Sequence, residues 1–241
     1  MARRNFKAGA LTAPLPPVMV SVGDMENANI ITIGWTGILS TIPPRTYISV
    51  RPERHSYKIL KEKREFVINL TTADQAKIVD YAGIYTGAKV DKFKECKLTK
   101  VESKEVSAPT IAECPLSLEC RVIEIIPMGT HDVFISDIVS VSCDESILDD
   151  DGKIRFDKAG LLAYAHGEYY ALGEKVGKFG FSTKKTSINK PAQKKGNVAE
   201  KNPKTAPVSK ENGEKENKKR PFYLDAPRGK GGKPKGKGKK R

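Results

Sequence analysis

From Val18 onward the chain reads as a succession of short alternating stretches. Val18, Val20 and Val22 alternate before Gly23-Asp24, and Ile30 to Trp35 forms a second β-type run. Thr46 to Val50 forms a third, after Pro43-Pro44, and Phe66, Ile68 and Leu70 alternate in a fourth. A period of two puts one set of side chains on one face, which predicts strands. Leu116, Leu118, Cys120 and Val122 alternate and run on to Ile125, while Val133 to Val141 is a long apolar run. Pro127-Met128-Gly129-Thr130 between them has turn composition, so the two runs are predicted to pair as a hairpin. Asp149-Asp150-Asp151-Gly152 marks a further turn.

Helical signals are few. Ser56 to Lys63 opens on a residue suited to an N-cap and sets Tyr57 and Leu60 on one side. Thr72-x-x-Gln75 is a capping-box pattern ahead of Ile78, Val79 and Tyr81. Many short strands with few helices predict a mainly β fold, a closed or nearly closed barrel that leaves little exposed sheet edge. No internal repeat is present.

Charge divides the chain. The 241 residues carry 43 Lys plus Arg against 29 Asp plus Glu, a formal net charge of +14. The segment Ser182 to Arg241 alone holds 20 basic and 5 acidic residues, so residues 1–181 are close to neutral. That last segment is rich in Lys, Asn, Gly and Pro and has one apolar island, Pro221-Phe222-Tyr223-Leu224. Such a composition buries too little surface to offset chain entropy, which predicts one folded domain over 1–181 and a disordered Lys-rich tail over 182–241. The tail has few aromatic residues for base stacking, so any binding to polyanions is expected to be non-specific. Cys96, Cys114, Cys120 and Cys143 form no C-x-x-C pair, which argues against a structural zinc site or an iron–sulfur cluster. With neither a signal-peptide core nor a membrane-length apolar run, the expectation is a soluble, cytoplasmic protein with free thiols.

Several catalytic patterns are set aside. The acidic turn fails as an EF-hand, because aligning Asp149, Asp151 and Gly152 puts Ile147 first and Lys158 twelfth. No G-x-G-x-x-G, G-x-x-x-x-G-K-[ST] or G-x-S-x-G is present, which removes the usual dinucleotide, triphosphate and hydrolase signatures.

What remains is an ordered series of phrases. Asn29-Ile-Ile-Thr32-Ile-Gly-Trp35-Thr36 is followed by Pro43-Pro44, a strand, Arg54-His55-Ser56, and Glu65-Phe66-Val67-Ile68-Asn69. Asp91-Lys92-Phe93 comes next, then Ala108-Pro109-Thr110-Ile111-Ala112-Glu113-Cys114-Pro115-x-x-Leu118-Glu119-Cys120. Gly129-Thr130-His131-Asp132-Val133-Phe134 and Tyr164-Ala-His166-Gly167-x-Tyr169 close the series. In this order and spacing, over roughly residues 5–181, the chain resembles the flavin-reductase-like family of FMN-binding split barrels, and within it the flavoredoxin branch.

The resemblance implies FMN as cofactor and a homodimer. A phosphate dianion calls for hydroxyls, N–H groups at a helix N-terminus and a cation. Ser56 opens the predicted helix and Arg54 precedes it; spacing alone fits an N-cap and a solvated charge equally well. The resemblance makes Ser56 a phosphate ligand and Lys92 a second cation at that end; by residue type alone Lys92 is a surface lysine. Relatives place a small hydroxyl residue where Tyr57 stands, which leaves Ser56 as the one hydroxyl there. For the ring, the resemblance points to Trp35 and the Thr36 loop after it, to Asn29 with its paired donor and acceptor, to His131 and to Tyr164. By type alone a lone tryptophan such as Trp35 is more often a core residue, and Tyr164 fits a core nearly as well; His166 and Tyr169 are weaker candidates. Flavin chemistry needs position and electrostatics from the protein rather than an acid or base, so no catalytic residue is nominated. The function implied is an oxidoreductase acting in electron transfer through FMN. It is either a flavin reductase using NADH or NADPH, or a carrier reduced by a redox protein partner. Polyanion binding through the tail is a more distant alternative.

Overall fold

The computed structural model describes residues 2–183. The expected tail over 182–241 lies outside the described residues apart from Ser182 and Thr183. The strands are β1 (Val18–Val22), β2 (Asn29–Ile33), β3 (Thr36–Thr41), β4 (Pro44–Val50), β5 (Glu65–Asn69), β6 (Lys100–Val101) and β7 (Thr110–Ile111). They continue with β8 (Leu116–Pro127), β9 (Asp132–Cys143), β10 (Leu162–Ala165) and β11 (Glu168–Ala171). The helices are α1 (His55–Lys63), α2 (Ala76–Ile84) and α3 (Lys92–Glu95).

Seven strands make one antiparallel sheet in the order β2-β1-β5-β8-β9-β4-β3. Its two edge strands, β2 and β3, are consecutive in the chain and joined by Gly34-Trp35 alone. One apolar core accordingly takes Val18 and Val20 from β1, Ile31 and Ile33 from β2, Ile48 and Val50 from β4, Phe66 from β5, Cys120 from β8 and Phe134 from β9. Side chains from both ends of the sheet meet there only because the sheet curls on itself, the nearly closed barrel that the alternation predicts, of the split type that the resemblance implies. Leu60 of α1 closes this core, with no measurable exposure.

The opposite face of β1 and β2 carries Met19 and Ile30, covered by Val79 and Ala82 of α2, Phe93 of α3 and Leu162 of β10. Both faces of β1 are thus buried, which is why its run is apolar almost throughout. The β8–β9 hairpin forms as expected, with Pro127 opposite Asp132 and Gly129 at φ +83 in the turn. The Gln75 side chain accepts from the Thr72 N–H at 3.0 Å, one half of the expected capping box.

Two local expectations change. Trp35 does not end a strand: β2 stops at Ile33, and Thr36-Gly37 begins β3 rather than a loop, because pairing with β4 completes its ladder. Helix α1 starts one residue early, with Arg54 as N-cap and no side-chain cap bond; Ser56 lies inside the first turn and its hydroxyl faces inward. The acidic turn forms as expected, closing through Gly152 N–H to the Asp149 carbonyl at 2.8 Å, with an isolated antiparallel bridge, Leu148 to Ile154, beside it.

Candidate functional site

A cleft of about 500 Å³ opens where the sheet's two ends come together, within the roughly 300–1,000 Å³ of typical cofactor sites. Its floor is the end of β2, Ile31 to Ile33, with Gly34 and Trp35 crossing to β3. Ser49 N–H donates to the Trp35 carbonyl at 3.0 Å and fastens that crossing to β4. Val50, Arg51, Glu53, Arg54, Gly83, His131, Tyr164 and Tyr169 also line the cleft.

Trp35, Arg54, His131 and Tyr164, four of the expected residues, share this cleft. The Trp35 and His131 rings lie 4.6 Å apart between centroids at 42°, an aromatic pair on one side of the opening. The Thr130 hydroxyl sits 2.9 Å from His131 Nδ1. Partial burial, then the Arg51 guanidinium, lower the His131 pKa. The Arg54 guanidinium donates to the Gly83 carbonyl, joining the start of α1 to the last turn of α2.

Asn29, Ser56 and Lys92 lie behind the cleft wall as buried polar groups. Asn29 Nδ2 donates to Ser56 Oγ at 2.8 Å. Lys92 Nζ donates to the Ile30 carbonyl at 2.8 Å and the Ala82 carbonyl at 2.7 Å, each on the residue just before one that lines the cleft. Among the described residues no carboxylate pairs with this ammonium, and one of its three donors is left over. Burial, with the Arg54 charge adding to it, holds the Lys92 pKa down at about 8. Gly87 closes over Asn29 so tightly that a Cβ there would lie 2.2 Å from Asn29 Oδ1. Asn29 also lines a neighbouring cavity of about 380 Å³ with His55 and Asp91. Thr36 stands apart from both groups: it is not among the cleft residues, and its hydroxyl donates to the Tyr47 carbonyl at 2.6 Å. The Tyr57 hydroxyl donates to Asp132 at 2.6 Å, a bond that raises the phenol's pKa.

Residue-by-residue reading passes over Arg51, Glu53, Gly83 and Asp80. Gly83 does carry a signal, as a glycine inside an amphipathic run. A Cβ there would come within 3.3 Å of Thr32 Cβ, so glycine lets α2 approach β2 closely. Asp80 accepts from the Tyr169 hydroxyl at 3.1 Å across 89 positions, which no local pattern discloses. Burial first, then this bond, push the Tyr169 pKa up to about 12.

Known proteins share this architecture. The flavoredoxin of Desulfovibrio vulgaris (Miyazaki F) is 33% identical, with a TM-score of 0.71 over 76% of this chain and 100% of its own. A flavoredoxin from Methanosarcina acetivorans is 25% identical, with a TM-score of 0.69 over 76% of this chain and 98% of its own. An FMN-binding protein from Thermus thermophilus is 25% identical, with a TM-score of 0.62 over 74% of this chain and 97% of its own. Residues 11–173 match the flavin reductase like domain, a span that takes in the barrel, α1 to α3 and every residue of the cleft. The chain therefore belongs to the flavin-reductase-like family of split-barrel proteins, whose members support a flavin-related redox function.

Proposed function

We propose that the cleft holds FMN and that the protein is an oxidoreductase passing electrons through it, as a carrier reduced by a redox protein. The observation that carries this reading is an aromatic cleft with unneutralised cationic charge at one end. Trp35, His131 and Tyr164 offer ring faces and edges, while Arg54 lines the wall and the Lys92 ammonium lies one residue behind it. A buried ammonium without a carboxylate is costly on its own and fits an anion such as the FMN phosphate. In this reading Arg54, Ser56, Asn29 and Lys92 serve the phosphate end, and Trp35, His131 and Tyr164 flank the ring, with Thr36 holding the β3 crossing. FMN would supply the hydride and single-electron chemistry; the protein binds it, orients it and limits water around it. The likeness to flavoredoxin supports a carrier over a self-sufficient reductase.

A second copy of the chain belongs to the same reading. Edge strand β3 and the turn after it present Ile38 at 62% exposure and Ile42 at 86%, and pairing would cover them. The test is direct: purified protein should be yellow, with about one FMN per chain, and should scatter light as a dimer. Bleaching by NADH or NADPH alone would assign a flavin reductase instead of a carrier. A protein that neither contains FMN nor quenches its fluorescence on titration would refute the cofactor.

A further inference from the structure

The hairpin β10–β11 stands outside the seven-stranded sheet, as a separate two-stranded ribbon. Near its start it is held by backbone bonds, between Leu15 and Tyr164 and from Leu162 N–H to the Thr71 carbonyl. Towards its tip, where His166 takes a left-handed φ of 48, side chains take over. Tyr164 and Tyr169 sit opposite each other in the ribbon, with ring centroids 5.3 Å apart at 60°, and both line the cleft. The Tyr169 hydroxyl reaches Asp80 at 3.1 Å. Asp80 lies one helical turn before Gly83, whose carbonyl takes the Arg54 guanidinium. Helix α2 is thereby bonded to both Arg54 and Tyr169, two of the residues that line the cleft.

We infer that Tyr169 is a positioning residue: anchored by Asp80, it holds Tyr164 edge-on as the cleft wall and so sets how the site takes a planar ligand. The phenol does not need to touch that ligand. Tyr169 packs partly into the core under α2, so its ring stays in place when the hydroxyl is removed. What the hydroxyl fixes is the ribbon's angle to α2, and with it the position of the Tyr164 ring. As the claim that the ligand is FMN rests on the proposed function, the test has one arm that needs no cofactor.

In the first arm, amide hydrogen exchange of the FMN-free full chain is followed at Ala163, Tyr164 and Ala165. Loss of a hydrogen bond to a charged, partly exposed carboxylate should speed local exchange roughly three- to tenfold in Tyr169→Phe and in Asp80→Ala. The double variant should go no further than either single one. Asp80→Asn, which keeps a carbonyl acceptor, should stay near wild type. In the second arm, FMN titration followed by flavin fluorescence should show its Kd rising by the same roughly three- to tenfold in Tyr169→Phe and Asp80→Ala. In a Tyr164→Ala background, Tyr169→Phe should add nothing. Unchanged exchange, additive effects of the two variants, or altered exchange with unaltered FMN affinity would each overturn the inference. Should wild-type protein take up no FMN, faster exchange in both variants would uphold the latch and fault the cofactor reading instead.

Discussion

Replacing Lys92 by methionine separates a structural lysine from a binding one. Methionine keeps nearly the same length and volume and removes the charge. In the wild type, burial and then Arg54 pull the ammonium's pKa from 10.5 down to about 8. That shift corresponds to roughly 3 kcal/mol spent at neutral pH on holding a charge in a dry position. The variant recovers that cost but withdraws a donor from the Ile30 and Ala82 carbonyls, at roughly 1–3 kcal/mol for each one left unpaired. The two effects oppose each other, so FMN-free Lys92→Met should be destabilised by no more than about 3 kcal/mol, a Tm shift of about 10 °C or less. Binding has no such compensation. Losing one charge-assisted contact to phosphate should weaken FMN by about 1.5–3 kcal/mol, roughly ten- to a hundredfold in Kd. Calorimetric unfolding without FMN and fluorescence titration with it give the two numbers. A variant that melts far below wild type yet binds FMN with unaltered affinity would show that Lys92 only braces α2 against β2, and the phosphate assignment would fall.

Other consequences follow from the same geometry. FMN affinity should decline as pH rises past about 8, where free Lys92 loses its proton, and this decline should vanish in Lys92→Met; a titration flat from pH 7 to 10 in wild type contradicts it. For the FMN-free protein the sign is opposite. The unfolded chain keeps the Lys92 proton up to about 10.5 and the folded one only to about 8, so this group's contribution to stability rises across that window, measurable as the difference in Tm between wild type and Lys92→Met. Gly87→Ala puts a methyl 2.2 Å from Asn29 Oδ1, so it should break the Asn29–Ser56 bond and cost about 1–3 kcal/mol, read by denaturant unfolding. Truncation after Thr183 should leave FMN content and Tm nearly unchanged and should remove any salt-sensitive binding to polyanions that the full chain displays; a truncated chain that loses its FMN would place part of the cofactor site in residues 184–241.

The barrel was legible because period-two burial is written locally. Val18, Val20 and Val22 all face one core, and the Pro127–Thr130 turn forces β8 against β9. Strand β3 was not legible: Thr36, Gly37, Ser40 and Thr41 have loop composition, and the strand exists through its partner β4. Helix α3 is only four residues long, and Lys92 is buried within it beside Phe93, so neither length nor residue type announces it. Ser56 has the residue type of an N-cap, but its hydroxyl receives Asn29 instead of closing the helix.

The cleft illustrates why its outline emerged from the sequence while its fastenings did not. Trp35, Arg54, His131 and Tyr164 each stand in a local phrase, at the crossing from β2 to β3, the start of a helix, a hairpin turn and the head of a ribbon. What brings them to one opening is the meeting of β2 with β3 after the sheet has curled through seven strands. The bonds that fix the opening span the chain: Arg54 to Gly83, Lys92 to Ile30 and Ala82, Tyr169 to Asp80. All four end on α2 or on β2 against which it packs, so α2 is the element to which Arg54, Lys92 and Tyr169 are all fastened. Its closeness to β2 depends on Gly83, where even a methyl would press on Thr32. A side chain larger than a methyl at position 83 would press harder on Thr32 and strain the α2–β2 contact on which those bonds rest, which makes this glycine a structural determinant of the site without offering any group to a ligand.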